Sequence, residues 1–245
     1  MKRTALLLIT ILILTNCVFG KADVEYKDGA FIITSPHLKQ PLSIGSAKEP
    51  VFLETGDGKI ELKDAPAISK NKDELTAVWS LPGGKEVTVS FVKNKDSLNI
   101  DLKAAGCDNV FQWGFSLNAE QDEYFTGMME RVVDGEQELS WAPGIKEAMN
   151  LRGQYITMIV KPTVSLYCPF YISSRNYSLF VEGTWPGTYD FCKSDSGLVK
   201  ITFEGPSVSM ILNTASGPAE LIQAHSLNVG PTIVPPKWAF GPWRW

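Results

Sequence analysis

Carboxylates are the residues of this sequence whose type and number best suit chemistry. Asp122, Glu123, Glu130, Asp134, Glu136, Glu138, Glu182 and Asp190 crowd its central part. Two carboxyl groups facing each other across a bond can divide the work of acid, base and nucleophile. Many pairs can be drawn from this set, so spacing selects none, and each carboxylate taken singly reads as a surface or loop residue. His37 and His225 lie far apart, and neither has a sequence neighbour that would make it a general base. His225 reads as a packed or solvated side chain. Cys107, Cys168 and Cys192 match no zinc-ligand spacing, so no metal and no cofactor is expected. Buried free thiols are expected, with a Cys168–Cys192 disulfide as the alternative open to an exported chain. A nucleophile elbow and a phosphate-binding loop are both absent.

The elements around these residues read as strands. Val87, Val89 and Phe91 alternate with Glu86, Thr88 and Ser90, and Leu98, Ile100 and Leu102 with Asn99, Asp101 and Lys103. Asn94-Lys95-Asp96 is the turn between them. Further strands are predicted at Phe31 to Thr34, Val51 to Leu53, Lys59 to Lys63, Leu75 to Leu81, Val110 to Leu117 and Tyr155 to Val160. Others follow at Leu166 to Ile172, Ser178 to Val181, Leu198 to Phe203 and Val208 to Leu212. Many short strands with almost no helix predict an all-β fold, a large antiparallel sandwich. The exception is Ser216 to Leu227: Ser216 can cap a helix with Pro218 in its first turn, Glu220 near its positive end and Leu221, Ile222 and Leu227 as its apolar face.

Composition bounds the partners. The 245 residues are 44% apolar with a net charge of −4, and the charges are spread rather than blocked, which excludes a nucleic-acid partner. Lys2 and Arg3 precede an apolar run from Ala5 to Leu14, and Val18-Phe19-Gly20 offers a cleavage site, so residues 1–20 read as a secretory signal peptide. The run is about ten residues, short of the roughly twenty that cross a bilayer, so no integral membrane span is expected. The mature chain is expected to start at Lys21 and to be secreted or periplasmic. Lipidation of Cys17 is the alternative fate of the leader.

The end of the chain has its own composition. Trp238, Phe240, Trp243 and Trp245 crowd together after Pro231, Pro235 and Pro236, more aromatic surface than a soluble domain leaves uncovered. Two upstream stretches are distinctive beside it. Tyr124-Phe125-Thr126-Gly127-Met128-Met129-Glu130-Arg131 sets an aromatic pair, a glycine and an acid–base pair at a loop or strand end. The stretch Cys168-Pro169-Phe170-Tyr171-Ile172-Ser173-Ser174-Arg175-Asn176-Tyr177-Ser178-Leu179-Phe180-Val181 reads as strand, tight turn, strand.

The first of these resembles the FYGLGER-like segment of glycoside hydrolase family 31, and the second that family's PFFISSRGYG-like hairpin. Pro235-Pro236-Lys237-Trp238-Ala239-Phe240-Gly241-Pro242-Trp243 resembles its PPxWAFGxW junction into the first strand of a catalytic (β/α)8 barrel. The resemblance spans Tyr124 to Trp245 in the family's order. It departs at Met129 and Asn176, where the family has glycine, and at Asn228-Val229-Gly230-Pro231, which lacks the link's arginine.

The resemblance implies a galactose-mutarotase-like β-sandwich over residues 21–215, a helix and linker over 216–236, and the start of a truncated barrel at 237–245. It implies a carbohydrate substrate and a retaining α-glycosidase of the α-glucosidase, α-xylosidase or α-galactosidase type. The family's two catalytic aspartates would lie beyond Trp245, so no catalytic residue is assigned and the chain alone is expected to be inactive. It also implies an intramolecular contact between the sandwich and the missing barrel. Candidate substrate-binding residues are Glu130 and Arg131, lining the pocket or holding sandwich against barrel, and Trp245, stacking on a sugar or packing in a core. Two rivals are a free-standing carbohydrate-binding sandwich and a mutarotase-like enzyme, which would need a histidine and a glutamate in one concave face.

Overall fold

The computed structural model describes residues 22–94, 97–128, 150–159 and 168–230, together with Val234 and Pro236. Its strands in chain order begin with β1 (Asp23–Lys27), β2 (Ala30–Thr34), β3 (Leu42–Ile44), β4 (Phe52–Thr55), β5 (Gly58–Glu61) and β6 (Ala67–Lys70). The middle of the chain supplies β7 (Glu74–Leu81), β8 (Lys85–Asn94), β9 (Ser97–Ala105), β10 (Gln112–Asn118), β11 (Phe125–Gly127) and β12 (Gln154–Met158). The last are β13 (Phe170–Ser173), β14 (Tyr177–Val181), β15 (Gly187–Phe191), β16 (Leu198–Glu204) and β17 (Ser207–Thr214), followed by helix α1 (Pro218–Val229).

The strands make two antiparallel sheets. One has nine strands, with path β1-β2-β3-β10-β16-β15-β12 and with β4 and β5 attached through β10; the other has eight, in the order β11-β13-β14-β17-β9-β8-β7-β6. The all-β sandwich predicted from the sequence is the observed fold, and its core lies where the alternation points. In β7, Leu75, Ala77 and Trp79 face inward; in β8, Val87, Val89 and Phe91 do the same. Phe31 of one sheet meets Phe91 of the other with ring centroids 4.7 Å apart, and Trp79 donates its indole N–H to the Asp64 carbonyl at 2.7 Å. A large ring is thus buried without orphaning its polar edge.

Two places break the period because both faces are covered. In β10 the outer face at Gly114 lies under the Phe52 ring, so close that a Cβ there would stand 2.1 Å from it. In β13 and β14, Phe170, Ile172 and Phe180 are packed under helix α1 around the fully buried Leu221. A strand buried on both faces loses its polar alternation.

Several expectations shift. Strands β1, β3, β6, β11 and β15 were not predicted. β6 is exposed at every position and lies at a sheet edge, so it carries no burial signal, while Gly187 and Asp190 disguise β15 as a turn. Helix α1 is capped by Gly217 in extended conformation, with no side-chain cap bond, rather than by Ser216. Leu221 is its buried residue and His225, one turn on, is half-buried on the same face, while Ile222 and Leu227 face solvent instead of the core. The cysteines are free, as expected, but only Cys192 is buried; Cys107 and Cys168 are partly exposed. Glu123 and Asp190 are buried carboxylates, not surface ones. Lys95 and Asp96 lie outside the described residues, as do residues 1–21.

Candidate functional site

The most chemically elaborate part of the molecule is the end of the sandwich where β10, β11 and the β13–β14 hairpin meet. The hairpin turn is Ser174-Arg175-Asn176. Asn176 adopts φ 70°, in the left-handed region. Asparagine tolerates that region better than most residues because its short side chain bonds locally, and here its amide donates to the His37 carbonyl at 3.1 Å. The backbone that a glycine would permit is therefore kept by another residue. Gly127 in β11 has no such freedom. Its φ is 121°, and a Cβ would stand 2.7 Å from the Phe170 carbonyl oxygen.

Register carries Glu123 and Arg175 into contact. Phe125 pairs with Ser173 and Gly127 with Tyr171, so the residues just before β11 lie beside the hairpin turn. Glu123 is 1% exposed and Arg175 3%. The Glu123 carboxylate accepts from Arg175 Nη1 at 3.3 Å, from the Glu120 N–H at 3.0 Å and from the Ser173 hydroxyl. Arg175 Nη1 also donates to Asn118 O at 2.9 Å, and Nη2 donates to Gln40 O at 3.1 Å and Pro41 O at 2.7 Å. One guanidinium thus joins the loops before β3, after β10 and at the hairpin turn.

Arg152 closes the same loop from the other side. Its Nη1 donates to Glu120 O and Glu123 O, each at 3.0 Å, and its Nη2 to Ser196 O at 2.7 Å. Charged groups removed from water hold only where hydrogen bonds replace the lost hydration. Here the replacements are mostly carbonyls, so the pair fixes backbone. The Glu123 carboxylate is thus committed to three donors. Its role is to hold the chain that enters β11. A shallow polar cleft of about 240 Å³ lies over this network, lined by Lys39, Gln40, Glu120, Asp122 and Ser174 with the buried pair.

Asp190 is likewise spent on its own turn, accepting from the Lys193 N–H at 2.7 Å and the Ser194 N–H at 3.2 Å. Burial pushes the neighbouring Cys192 thiol up to about 11, well above a reactive range. Nearby sits a cluster of rings: Phe125 and Phe191 tilted at 5.2 Å, and Tyr171 edge-on to Phe191 at 5.2 Å and to Tyr189 at 6.0 Å.

The histidines are engaged elsewhere. His225 stacks on Phe170 at 3.9 Å with planes 13° apart, and its ring meets Phe180 edge-on at 4.8 Å. Burial holds its imidazole below the ordinary 6.5, which favours the neutral ring. It serves as an apolar wedge under α1. His37 lies beside the hairpin turn, its carbonyl accepting from the Asn176 amide at 3.1 Å. Among the described residues no cluster of three or more His, Cys, Asp or Glu could hold a metal ion. No described helix is long and apolar enough to cross a membrane.

The sequence-derived candidates Glu130, Arg131 and Trp245 lie outside the described residues. So do Asp134, Glu136, Glu138 and the aromatic tail from Trp238. What the structure does place is the strand that leads to Glu130 and Arg131, with its register fixed by β13. The Glu123–Arg175 pair was missed because no spacing reveals it: the residues are far apart in sequence and meet only through the β11–β13 pairing. An arginine in the tight turn of two apolar strands was the one available signal.

No family model matches the sequence. The chain is 29% identical over 75 residues to the alpha-xylosidase XylQ of Lactiplantibacillus pentosus, a match covering 31% of this chain and 10% of that protein. The fold is that of a GH31 family sulfoquinovosidase from E. rectale, solved with an aza-sugar inhibitor. The TM-score is 0.67 at 13% identity, covering 88% of this chain and 35% of that one. The chain thus spans about a tenth and about a third of the lengths of these relatives. Both are glycosidases, and both stand with the family 31 resemblance read from the sequence.

Proposed function

We propose that this chain is the non-catalytic, carbohydrate-associated N-terminal sandwich of a secreted retaining α-glycosidase, packing on a catalytic barrel encoded beyond Trp245 and contributing to the rim of its substrate pocket. The observation that carries the reading is the coverage: 88% of this chain follows a sulfoquinovosidase fold of which it accounts for 35%. The site geometry supports it. The buried carboxylates Glu123 and Asp190 are bonded to arginine and backbone donors, which leaves them no part in bond cleavage and suits a scaffold. Strand β11 directs the chain toward Glu130 and Arg131, which on this reading line the pocket or brace the sandwich against the barrel. Trp245 stands at the barrel mouth, where its ring can stack on a sugar. Export follows from the leader at residues 1–20, with a mature N-terminus at Lys21 or a lipid anchor on Cys17.

Hydrolysis with retention requires two carboxyl groups about 5 to 5.5 Å apart, one of them a nucleophile. The experiment is to assay two proteins, this chain and the chain extended through its downstream reading frame, against aryl α-glucosides, α-xylosides and α-galactosides. The expected result is turnover by the extended protein and none by the chain alone. Turnover by the 245-residue chain itself would overturn the assignment. Mass spectrometry of the exported product reads the leader, distinguishing Lys21 from an acylated Cys17.

A further inference from the structure

Helix α1 has a narrow seat on the sandwich. Leu221 is its one buried residue, packed with Phe170 and Ile172 and bordered by the partly buried Cys168, Phe180 and Ala215. His225 adds its ring, stacked on Phe170 at 3.9 Å and edge-on to Phe180 at 4.8 Å. Asn228 Nδ2 approaches Asn213 Oδ1 at 3.5 Å, too long to hold the helix strongly, and Asn228 is exposed. The N-terminus at Gly217 has no side-chain cap. A helix of 12 residues is marginal by itself in water, so the order of α1 depends on this seat.

His225 is the member of the seat that can change its charge near neutrality. Its Nδ1 is buried and has no hydrogen-bond partner among the described residues. Protonating the ring would therefore place an N–H and a positive charge where no acceptor receives them. The surrounding elements supply no counter-charge. Strand β17 carries no ionisable side chain. On β13 and β14 the ionisable residues are Tyr171 and Tyr177, which face the other way, into the core between the sheets. Arg175 in their turn is bonded to Glu123, and burial pushes the Cys168 thiol up, which keeps it uncharged. Glu182, just beyond β14, and Glu220 of α1 are exposed, and five positions along the helix set Glu220 well round from His225.

We propose that His225 makes the seating of α1 conditional on an uncharged ring, so that acid releases the exit helix from the sandwich while the two sheets stay folded. Burial holds the seated imidazole below the ordinary 6.5, whereas the released ring returns to it. Seating is thus at full strength above 6.5 and is lost as pH falls through the lower value of the seated ring, because the released helix takes the proton first. Residues 231–245 follow α1 directly, so the latch sets whether the sandwich keeps hold of the chain that leaves it. It involves only the sandwich and α1, and it stands whether or not a glycosidase barrel follows.

The test is amide hydrogen exchange on the 245-residue chain at about pH 7.5 and about pH 5.5, corrected for intrinsic exchange rates, with α1 read against β8 and β9. Protection of α1 should fall several-fold at the lower pH, and by no more than about tenfold, since one histidine supplies at most a factor of ten per pH unit below 6.5. Protection of β8 and β9 should fall less than that of α1. His225→Phe keeps a ring in the seat and should remove the pH dependence of α1; His225→Leu, equally uncharged, carries the comparison if the first variant does not fold. Leu221→Ala should expose the α1 amides at both pH values without exposing β8 and β9. Unchanged or increased α1 protection at pH 5.5, or a fall that persists in the uncharged variants, would overturn the latch. So would an equal loss of protection in α1, β8 and β9, because the helix would then not open separately.

Discussion

The two ends of the sandwich use their polar and aromatic residues in opposite senses. At the end formed by Asn118, Ser173 and Leu198, charges are buried and turned inward, Glu123 to Arg175 and both to the backbone of surrounding loops. At the end formed by Gln112, Glu204 and Ser207, charges stay in water and aromatic rings come to the surface over glycine. The first arrangement fixes where loops go and offers nothing to a ligand directly. The second leaves its rings about half in water. Buried ion pairs add modest net stability yet are costly to break, whereas a half-exposed ring costs little to remove. The two ends can therefore be told apart by mutation.

The largest effect is expected at the holding end. Glu123→Ala or Arg175→Ala leaves one buried charge without its partner and should lower unfolding free energy by about 3–5 kcal/mol. The double variant Glu123→Leu/Arg175→Met should recover much of that loss, and urea unfolding of all three measures it. Equal losses in the single and double variants would mean that the carbonyl bonds, not the pair, hold the loops.

Next comes Gly127→Ala, which forces a Cβ to within 2.7 Å of backbone at φ 121° and should cost about 2–3 kcal/mol. Asn176→Gly sharpens the point, because glycine adopts the same turn freely while losing the amide bond to His37. Its expected change is within about 1 kcal/mol by the same measurement.

A smaller effect concerns pH. His225 has a folded-state pKa below the ordinary 6.5 because burial disfavours its charged form. As pH falls below 6.5 the unfolded chain takes the proton first, so stability is present above that value and is lost on acidification toward the folded pKa. Unfolding midpoints compared at about pH 7.5 and about pH 5.5 should fall more in the native chain than in His225→Phe, which keeps the ring stack and removes the titration.

Smallest of all is the stability effect of Trp185→Ala at the opposite end. Half of the side chain is already in water, so the loss should be about 1 kcal/mol or less. A loss as large as that of Glu123→Ala would erase the distinction between the two ends.

Legibility in the sequence followed exposure. Strands β7, β8 and β9 have one wet face and one dry face, and their period of two was plain. The strands of the β13–β14 hairpin, covered on both sides, gave a continuous apolar run in which only the turn residues were informative. Edge strand β6, exposed throughout, gave nothing. The exit helix was found because Pro218 and Glu220 mark its first turn, but its buried stripe was misassigned, since Leu221, Ile222 and Leu227 are equally apolar and only packing decides which of them faces Phe170.

The sequence by itself determined the all-β class, the hairpin, the exit helix and the motifs that resemble family 31, because each depends on neighbours along the chain: alternation, turn chemistry and the residues of a helix's first turn. Tertiary structure alone decided that Glu123 meets Arg175, that His225 is a wedge between two phenylalanines, and that Trp185 lies flat on Gly205. Those contacts join residues brought together by strand pairing and sheet packing, and their chemistry depends on a burial that no local pattern records.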